Sequence, residues 1–279
     1  MSPWRSNTLQ VELAPDQVNL VHTQRRLTLR GVRTTVRNER LPAVACGNDA
    51  AVWRGAVQAL QAALPDHAGH PTHGYVTLSS RLVHYALVPW SDALSDAAEE
   101  AAFARHVFER VHGEAAAQWE LRVSADRIGA PTLASAVDAR MLNAVRAAFA
   151  DARVRLDSIQ PRLMAVYNDY RRRLQGRHAW LALLEPGCLC LALLQQGRWV
   201  RVRSLRIGSG WRVELALLLA LIIIVLRKVV DDAISLVIII SLFLVGTAIA
   251  AGSAGAAVGS AFRVAIDGKA TCEVGATTV

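Results

Sequence analysis

The distribution of apolar residues along this 279-residue chain is uneven, and it limits the possible folds more than any other feature. Before Arg212 the apolar residues are interrupted by charge. After it, Leu215 to Leu226 is unbroken apolar sequence, and Ala233 to Phe262 contains no ionisable side chain. Two kinds of solvent environment are implied, and we expect residues 1–212 to form an α/β region on the polar side.

The membrane-anchoring region is predicted to cover residues 213–262. Crossing the hydrocarbon core takes about 20 apolar residues in a helix, and Ala233 to Ala251 has that character. Leu215 to Leu226 is shorter, which leaves open a thin span, a re-entrant segment, an interfacial helix or a core helix. Because Arg227-Lys228 favours a cytoplasmic position for the connection, a single span is preferred over a hairpin of two.

The sequence after this region is a short tail, residues 263–279. Asp267-Gly268 is flanked by two apolar runs and predicts a tight hairpin. Just before the tail, Gly255 and Gly259 form a GxxxG match, which favours either a flexible membrane-exit linker or a close helix–helix contact in a homo-oligomer.

The net charge of +8 comes almost entirely from arginine, since Lys228 and Lys269 are the only lysines. Arginines are scattered, with one dense run at 171–173. Such a surface suits anionic cytoplasmic lipid or acidic partner segments, and nucleic acid is not expected as a partner. The polar start, Met1 to Gln10, has no signal peptide character, so the first region is expected to stay in the cytoplasm.

No enzyme class emerges from the reactive residue types. Cys188 and Cys190 are two residues apart in a strand-like run and are predicted to be small buried hydrophobes. His67, His70 and His73 lie in a Pro/Gly-rich loop, a pattern more typical of an exposed turn than of a metal site. No G-x-S-x-G elbow is present. We therefore predict no catalytic residues and no metal ligands.

The order of predicted elements is mixed α/β, with hairpins instead of a strict strand–helix alternation. A hairpin opens the chain, with Pro15-Asp16 as its turn. Helices are predicted at Asp49 to Leu64, Ser91 to His112 and Ala139 to Ala152, and another runs from Pro161 through Leu174. A three-stranded meander then follows, with turns at Pro186-Gly187 and Gln196-Gly197.

Three stretches carry a family resemblance through their order and spacing. They are Gln10-Val11-Glu12-Leu13-Ala14-Pro15-Asp16-Gln17-Val18, then Tyr85-Ala86-Leu87-Val88-Pro89 leading into an acidic helix, then Leu184-Glu185-Pro186-Gly187-Cys188-Leu189-Cys190-Leu191 followed by Gln196-Gly197-Arg198. In this order, over roughly residues 7–210, the chain resembles the actin-like assembly proteins of type IV pilus and type II secretion systems, the PilM and GspL-like group.

The resemblance implies a partial actin-like (ribonuclease H-like) α/β fold with an inserted small α/β subdomain at about residues 84–152, followed by one or more apolar transmembrane helices. The family is similar to actin in building a nucleotide cleft from two related halves. Each half opens with a hairpin whose acidic residue and glycine approach metal and phosphate. Glu12, Glu185 and Gly187 match these positions and are the candidate nucleotide-binding residues.

The match to a working nucleotide site is incomplete. The first turn carries Ala14-Pro15-Asp16 without glycine, and proline removes one N–H donor. The second half is expected to be missing, because the chain turns apolar at Leu215. We therefore expect no required cofactor, with ATP and magnesium bound weakly if at all, and a pseudo-ATPase without enzymatic activity.

The function that the resemblance implies is that of a non-catalytic assembly component at the bacterial inner membrane. Its cytoplasmic α/β region would dock other pilus or secretion assembly proteins, while the apolar region anchors it in the membrane. Two alternatives remain open at this point. One is a nucleotide-binding actin-like switch, and the other is an oligomerising integral membrane protein whose basic domain is regulatory.

Overall fold

The computed structural model describes residues 5–28, 31–43, 51–67, 72–94, 96–124, 129–208, 236–242, 260–267 and 269–276. Its strands are β1 (Arg5–Ala14), β2 (Gln17–Thr28), β3 (Gly31–Pro42), β4 (Thr72–Leu78), β5 (His84–Val88), β6 (Trp119–Val123), β7 (Thr132–Asp138), β8 (Arg155–Pro161), β9 (Ala179–Glu185), β10 (Cys188–Gln195), β11 (Arg198–Arg206), β12 (Leu236–Leu242), β13 (Ser260–Asp267) and β14 (Lys269–Ala276). Its α-helices are α1 (Arg54–Ala63), α2 (Ala97–His112), α3 (Ala139–Asp151) and α4 (Arg162–Leu174).

The first sheet has five strands in the order β3-β2-β1-β4-β8. β1, β2 and β3 are antiparallel neighbours, whereas β4 pairs in parallel with both β1 and β8. Alternate residues of β1, namely Leu9, Val11 and Leu13, are fully buried, as expected for a strand with one face on a core. Helix α1 packs on the strands of this meander and on α3, so a helical layer accompanies the sheet.

A small three-stranded sheet has the order β5-β7-β6 and falls within the predicted inserted subdomain. Helix α2 lies between β5 and β6 in the chain and follows Asp96, whose carboxylate accepts hydrogen bonds from the N–H groups of Ala98 and Glu99 at 2.8 Å. Asp96 is therefore the N-cap of α2. Glu99 and Glu100 in the first turn suit the positive end of the helix dipole.

The second large sheet has six strands in the order β11-β10-β9-β12-β13-β14. β9, β10 and β11 form an antiparallel meander, and β12 pairs with β9 in parallel. This repeats the arrangement of β1 to β4 in the first sheet, where a meander is also joined by a parallel strand at its first member. The expectation that the second half is missing is therefore wrong, because its opening strands are present.

The predicted membrane helix over Ala233 to Ala251 is wrong for residues 236–242, which form β12. Val237, Ile238, Ile239 and Ile240 are β-branched, a residue type that favours strands. A strand with neighbours on both sides also has continuous apolar sequence, so pattern alone does not separate it from a buried helix. The rest of that prediction, together with 215–226, Gly255 and Gly259, lies outside the described residues.

The predicted C-terminal hairpin is confirmed. β13 and β14 are antiparallel, and Asp267 pairs with Lys269 across the turn. The hairpin extends the second sheet beyond β12 and is not an isolated stub. Among the described helices, none combines the length and apolar character that crossing a bilayer requires.

The chain divides into two compact units. The first contains residues 1–84, 96–122 and 135–165, and the second contains residues 85–95, 123–134 and 166–279.

Candidate functional site

The turn of the first hairpin is built from Pro15 and Asp16, since Ala14 pairs with Gln17. Pro15 is buried, and the carbonyl of Asp16 accepts a hydrogen bond from the N–H of Ala43 at 2.9 Å. The Asp16 carboxylate lies 3.3 Å from the guanidinium of Arg81. Proline offers no N–H, and a carboxylate in the turn repels phosphate. Neither feature favours phosphate binding by this turn.

Glu12, the candidate acidic residue of this hairpin, has both carboxylate oxygens engaged. Arg162 Nη1 donates to Oε1 at 3.2 Å, and Asn19 Nδ2 donates to Oε2 at 3.2 Å. Arg40 Nε in turn donates to Asn19 Oδ1 at 3.2 Å. The side chain of Arg162 is 14% exposed and that of Glu12 is 32% exposed, so the pair is partly buried. A metal–nucleotide complex would have to displace a charge-assisted bond to reach this carboxylate.

The second hairpin has a different turn. Glu185 pairs with Cys188, and between them Pro186 is followed by Gly187 with φ +74°. Proline at the first and a positive-φ glycine at the second central position match a type II turn. Glu185 is buried, at 6% exposure, and the carbonyl of Gly187 accepts the N–H of Ile207 at 3.2 Å. This hairpin keeps the acidic residue and the glycine that the resemblance implied.

The histidines and cysteines that the sequence analysis considered lie in different environments. His67 is 2% exposed, and its Nδ1 lies 3.3 Å from His22 Nδ1. His73 instead contacts Asp157 at 2.7 Å, while His70 lies outside the described residues. Within the described part of the chain, no three metal-ligating side chains come together. Cys188 and Cys190 are both buried, as predicted.

An open groove of about 580 Å³ lies in the first unit, and the residue pattern of the chain does not predict it. Its walls come from the end of β4, from β6 and β7 of the small sheet, from α3 and from β8, so residues that are distant in the chain line one groove. The apolar part of its lining comprises Leu78, Val137, Leu142, Phe149, Val154, Leu156, Ile159 and Pro161. Among the strands that the structure describes, β8 and β6 are each the last of their sheet, and both contribute to the groove.

Charged side chains lie along the groove beside this apolar lining. Arg146 donates two hydrogen bonds of 2.9 Å to the carboxylate of Glu120, and Arg122 lies 3.6 Å from the same carboxylate. The bond from Arg146 lowers the pKa of Glu120. Asp157 also lines the groove, and its pKa is lowered by the hydrogen bond with His73. The groove therefore offers apolar contact together with charges of both signs.

Comparison with known proteins supports the fold. No protein-family model matches this chain, and no curated protein matches its sequence. Among solved structures, the PilM–PilN type IV pilus biogenesis complex matches 72% of this chain at 14% identity with a TM-score of 0.51. This chain has the actin-like fold of PilM. It spans 62% of that protein's length, so it corresponds to part of it.

Two further structures are similar. One is the cytoplasmic domain of EpsL, an inner membrane component of the type II secretion system of Vibrio cholerae, with 11% identity, a TM-score of 0.47 and coverage of 72% of this chain and 71% of that one. The other is a Bacteroides thetaiotaomicron protein with an actin-like ATPase fold and unknown function, with 10% identity, a TM-score of 0.49 and coverage of 84% and 82%. The resemblance to the PilM and GspL-like group is confirmed as a likeness of fold.

Proposed function

We propose that this chain is a structural assembly component of a type IV pilus or type II secretion-like machine, and that it holds an extended segment of a partner protein in the groove between β6, β7, α3 and β8. The observation that carries this proposal is the groove itself, which combines an apolar lining, paired charges and two sheet edges. The similar PilM structure is a complex with PilN, an assembly protein, which supports a partner of that class.

The groove suits an extended peptide for three reasons. Edge strands offer backbone groups that an added chain can pair with. Apolar side chains of the peptide would contact Leu156 and Ile159, which are partly exposed, while its charged groups would meet Arg122 and Asp157 along the groove. A volume of about 580 Å³, within the range of clefts that hold small molecules, leaves room for a few side chains of the segment.

A non-catalytic role forms part of this proposal. The Glu12–Arg162 pair and the Pro15-Asp16 turn both oppose phosphate and metal binding at the first hairpin. The proposed location is the cytoplasmic face of the bacterial inner membrane. There the unbroken apolar sequence from Leu215 to Leu226 would contact the membrane, and the basic surface would face anionic lipid.

Binding of the partner segment tests the proposal directly. Labelled overlapping peptides that together cover the PilN-like protein of the same organism are titrated with the full-length protein, and binding is followed by fluorescence anisotropy. Ser158 lines the groove on β8, so Ser158→Trp would fill the space that the peptide needs. We expect this variant to bind at least about tenfold more weakly, a loss of roughly 1.4 kcal/mol.

The matched control is Thr34→Trp, which places the same side chain at an exposed position on β3, the opposite edge of the same sheet. It should bind like the unmodified protein, and both variants should keep the same circular dichroism spectrum. Equal binding by Ser158→Trp and Thr34→Trp would rule out the groove as the docking site.

A nucleotide-responsive switch is the second candidate, and the second hairpin is the observation that favours it. Glu185 and the positive-φ Gly187 lie where the actin-like resemblance expects them. If this reading holds, ATP with magnesium binds saturably and Glu185→Ala abolishes that binding.

A further inference from the structure

β11 is the terminal strand of the second sheet, and its outer edge is unusually basic. β10 is its one neighbour in the described strand order. Arg198, Arg201 and Arg203 are all exposed. Among the residues that the structure describes, no carboxylate lies within ion-pair distance of these three side chains. An edge strand presents unpaired N–H and C=O groups, so this edge combines free backbone with uncompensated positive charge.

A β-bulge aligns the three arginines on one face of the sheet. The pairing of β10 with β11 shifts between Leu193 and Leu194, so that Leu194 faces Trp199 and Leu193 faces Arg201. Val200 is the extra residue of the bulge. Without the bulge, strict alternation would put Arg198 on the opposite face from Arg201.

The cross-strand partners establish which residues share this face. Arg198, Arg201, Arg203 and Leu205 pair with Gln195, Leu193, Leu191 and Leu189, respectively. The other face carries Trp199, which packs on Tyr167 of α4 with ring centroids 4.7 Å apart. The arginine row therefore lies on the face away from α4, beside the half-buried Leu191 and Leu193.

Electrostatics selects among the possible occupants of the edge. A second copy of β11 added antiparallel would bring one arginine row against another, and directly opposed like charges are unfavourable. An uncharged strand would desolvate guanidinium groups without compensation. A strand with carboxylates on one face can pair with the backbone edge and also compensate the guanidinium charges. The Cβ atoms of its acidic residues would lie about 5 Å from those of the facing arginines.

We propose that the β11 edge is a second docking site, which binds an extended acidic segment of a partner protein by strand addition, with carboxylates at alternate positions facing Arg198, Arg201 and Arg203. The site favours carboxylates at alternate positions, since only every second residue of an added strand lies on the arginine face. This site is separate from the groove of the first unit and does not depend on the function proposed for it.

Two peptides of identical composition test the proposal with the full-length protein. One alternates, Thr-Glu-Val-Glu-Val-Glu-Thr, and the other has its acids in a block, Thr-Glu-Glu-Glu-Val-Val-Thr. Anisotropy of the labelled peptides should show the alternating one binding about tenfold more tightly, a difference of roughly 1.4 kcal/mol. N-methylation of alternate residues of that peptide should abolish binding, because it removes the N–H groups that pair with the edge.

Variants on the same strand provide the controls. Arg201→Glu with Arg203→Glu should weaken binding of the alternating peptide at least about tenfold, whereas Lys at both positions should keep it within roughly threefold. Arg206→Glu makes a charge reversal on the opposite face of β11 and should leave binding within the same threefold. The groove variant Ser158→Trp should also bind this peptide normally, which separates the two sites.

Three results would overturn the assignment. The first is equal binding of the blocked or N-methylated peptide, which would show attraction by charge alone. The second is an Arg206→Glu effect as large as that of the double reversal. The third is binding of single-stranded DNA or of phosphatidylglycerol vesicles that depends on Arg201 and Arg203 while the alternating peptide fails to bind, which would identify a phosphate-bearing occupant instead of a protein segment.

Discussion

At the scale of single residues, the first hairpin is organised around charge compensation. Glu12 lies beside Asn19 in the β1–β2 register, and Arg162 at the start of α4 reaches the same carboxylate. A partly buried ion pair is costly to break from one side only, since the remaining charge is left without a partner. In this chain, the residue that the family resemblance assigns to metal and phosphate is held by hydrogen bonds within the protein.

The first prediction concerns this ion pair. Arg162→Met should lower the free energy of unfolding by about 1–3 kcal/mol, because the carboxylate of Glu12 loses its charge-assisted bond. Adding Glu12→Gln to Arg162→Met should restore part of the loss. Urea unfolding of the wild type, both single variants and the double variant measures the coupling. Strict additivity of the two single effects would show that the pair makes no structural contribution.

The second prediction concerns the buried histidine pair. Burial lowers the pKa of His67, and Arg37 lowers it further, while Glu39 and Asp66 act in the opposite direction. Its neighbour His22 approaches at 3.3 Å, which leaves room for one proton between the two facing nitrogens. The folded state therefore keeps His67 neutral at a pH where the unfolded chain, with an ordinary pKa of about 6.5, takes up a proton.

It follows that stability is lost as the pH falls below about 6.5, through the window down to the lowered pKa of His67. In His67→Gln, the drop in unfolding free energy between pH 7.5 and pH 5.5 should be smaller than in the wild type. Part of the drop should remain, because desolvation, with a smaller effect of His112, lowers the pKa of His84 to about 4. His106→Gln, on the exposed side of α2, is the control, and an equal drop in His67→Gln and the wild type would contradict the assignment.

At the scale of elements, the sequence predicted the features that neighbouring residues determine, chiefly the hairpin turns. The hairpin turns at Pro15-Asp16, Pro186-Gly187 and Gln196-Gly197 are confirmed, because proline and positive-φ residues fix turn geometry within four residues. Gln196 and Gly197 both have positive φ, as a type I′ turn requires. β12 was missed because a central strand and an apolar helix share the same residue pattern, and only pairing with β9 separates them.

The third prediction concerns the contact between β4 and α3. A Cβ added at Gly74 would meet the ring of Phe149 at Cε1 and would lie 3.1 Å from Cδ1 and 3.2 Å from the carbonyl of Arg155. Gly74→Ala should therefore destabilise the protein by about 1–3 kcal/mol, the usual cost of overpacking. Thermal unfolding of Gly74→Ala, and of Gly74→Ala combined with Phe149→Leu, measures the effect.

The smaller leucine should recover part of the stability lost in Gly74→Ala. Gly129→Ala is not a suitable reference because φ is positive there, but Gly208→Ala is, since a Cβ at that position meets nothing within 4 Å. Loss of stability in Gly208→Ala as large as in Gly74→Ala would show that the ring contact is not the cause.

At the scale of the whole molecule, the two large sheets share one pattern, a meander joined by a parallel strand at its first member. The sequence indicated the actin-like fold through the order of its hairpins. It did not indicate the groove, because Glu120, Ser135, Arg146 and Asp157 come from four elements and converge only after folding. Nor did it indicate the arginine row on β11, which depends on a bulge that is visible only in the strand register.

We propose that the chain docks a partner segment and does so without nucleotide control. The affinity of the full-length protein for the PilN-like peptide is therefore to be measured with and without saturating magnesium-ATP. We expect the same dissociation constant in both conditions, in the wild type and in Glu185→Gln. A change of tenfold or more on adding magnesium-ATP, lost in Glu185→Gln, would instead establish that a nucleotide switch controls docking.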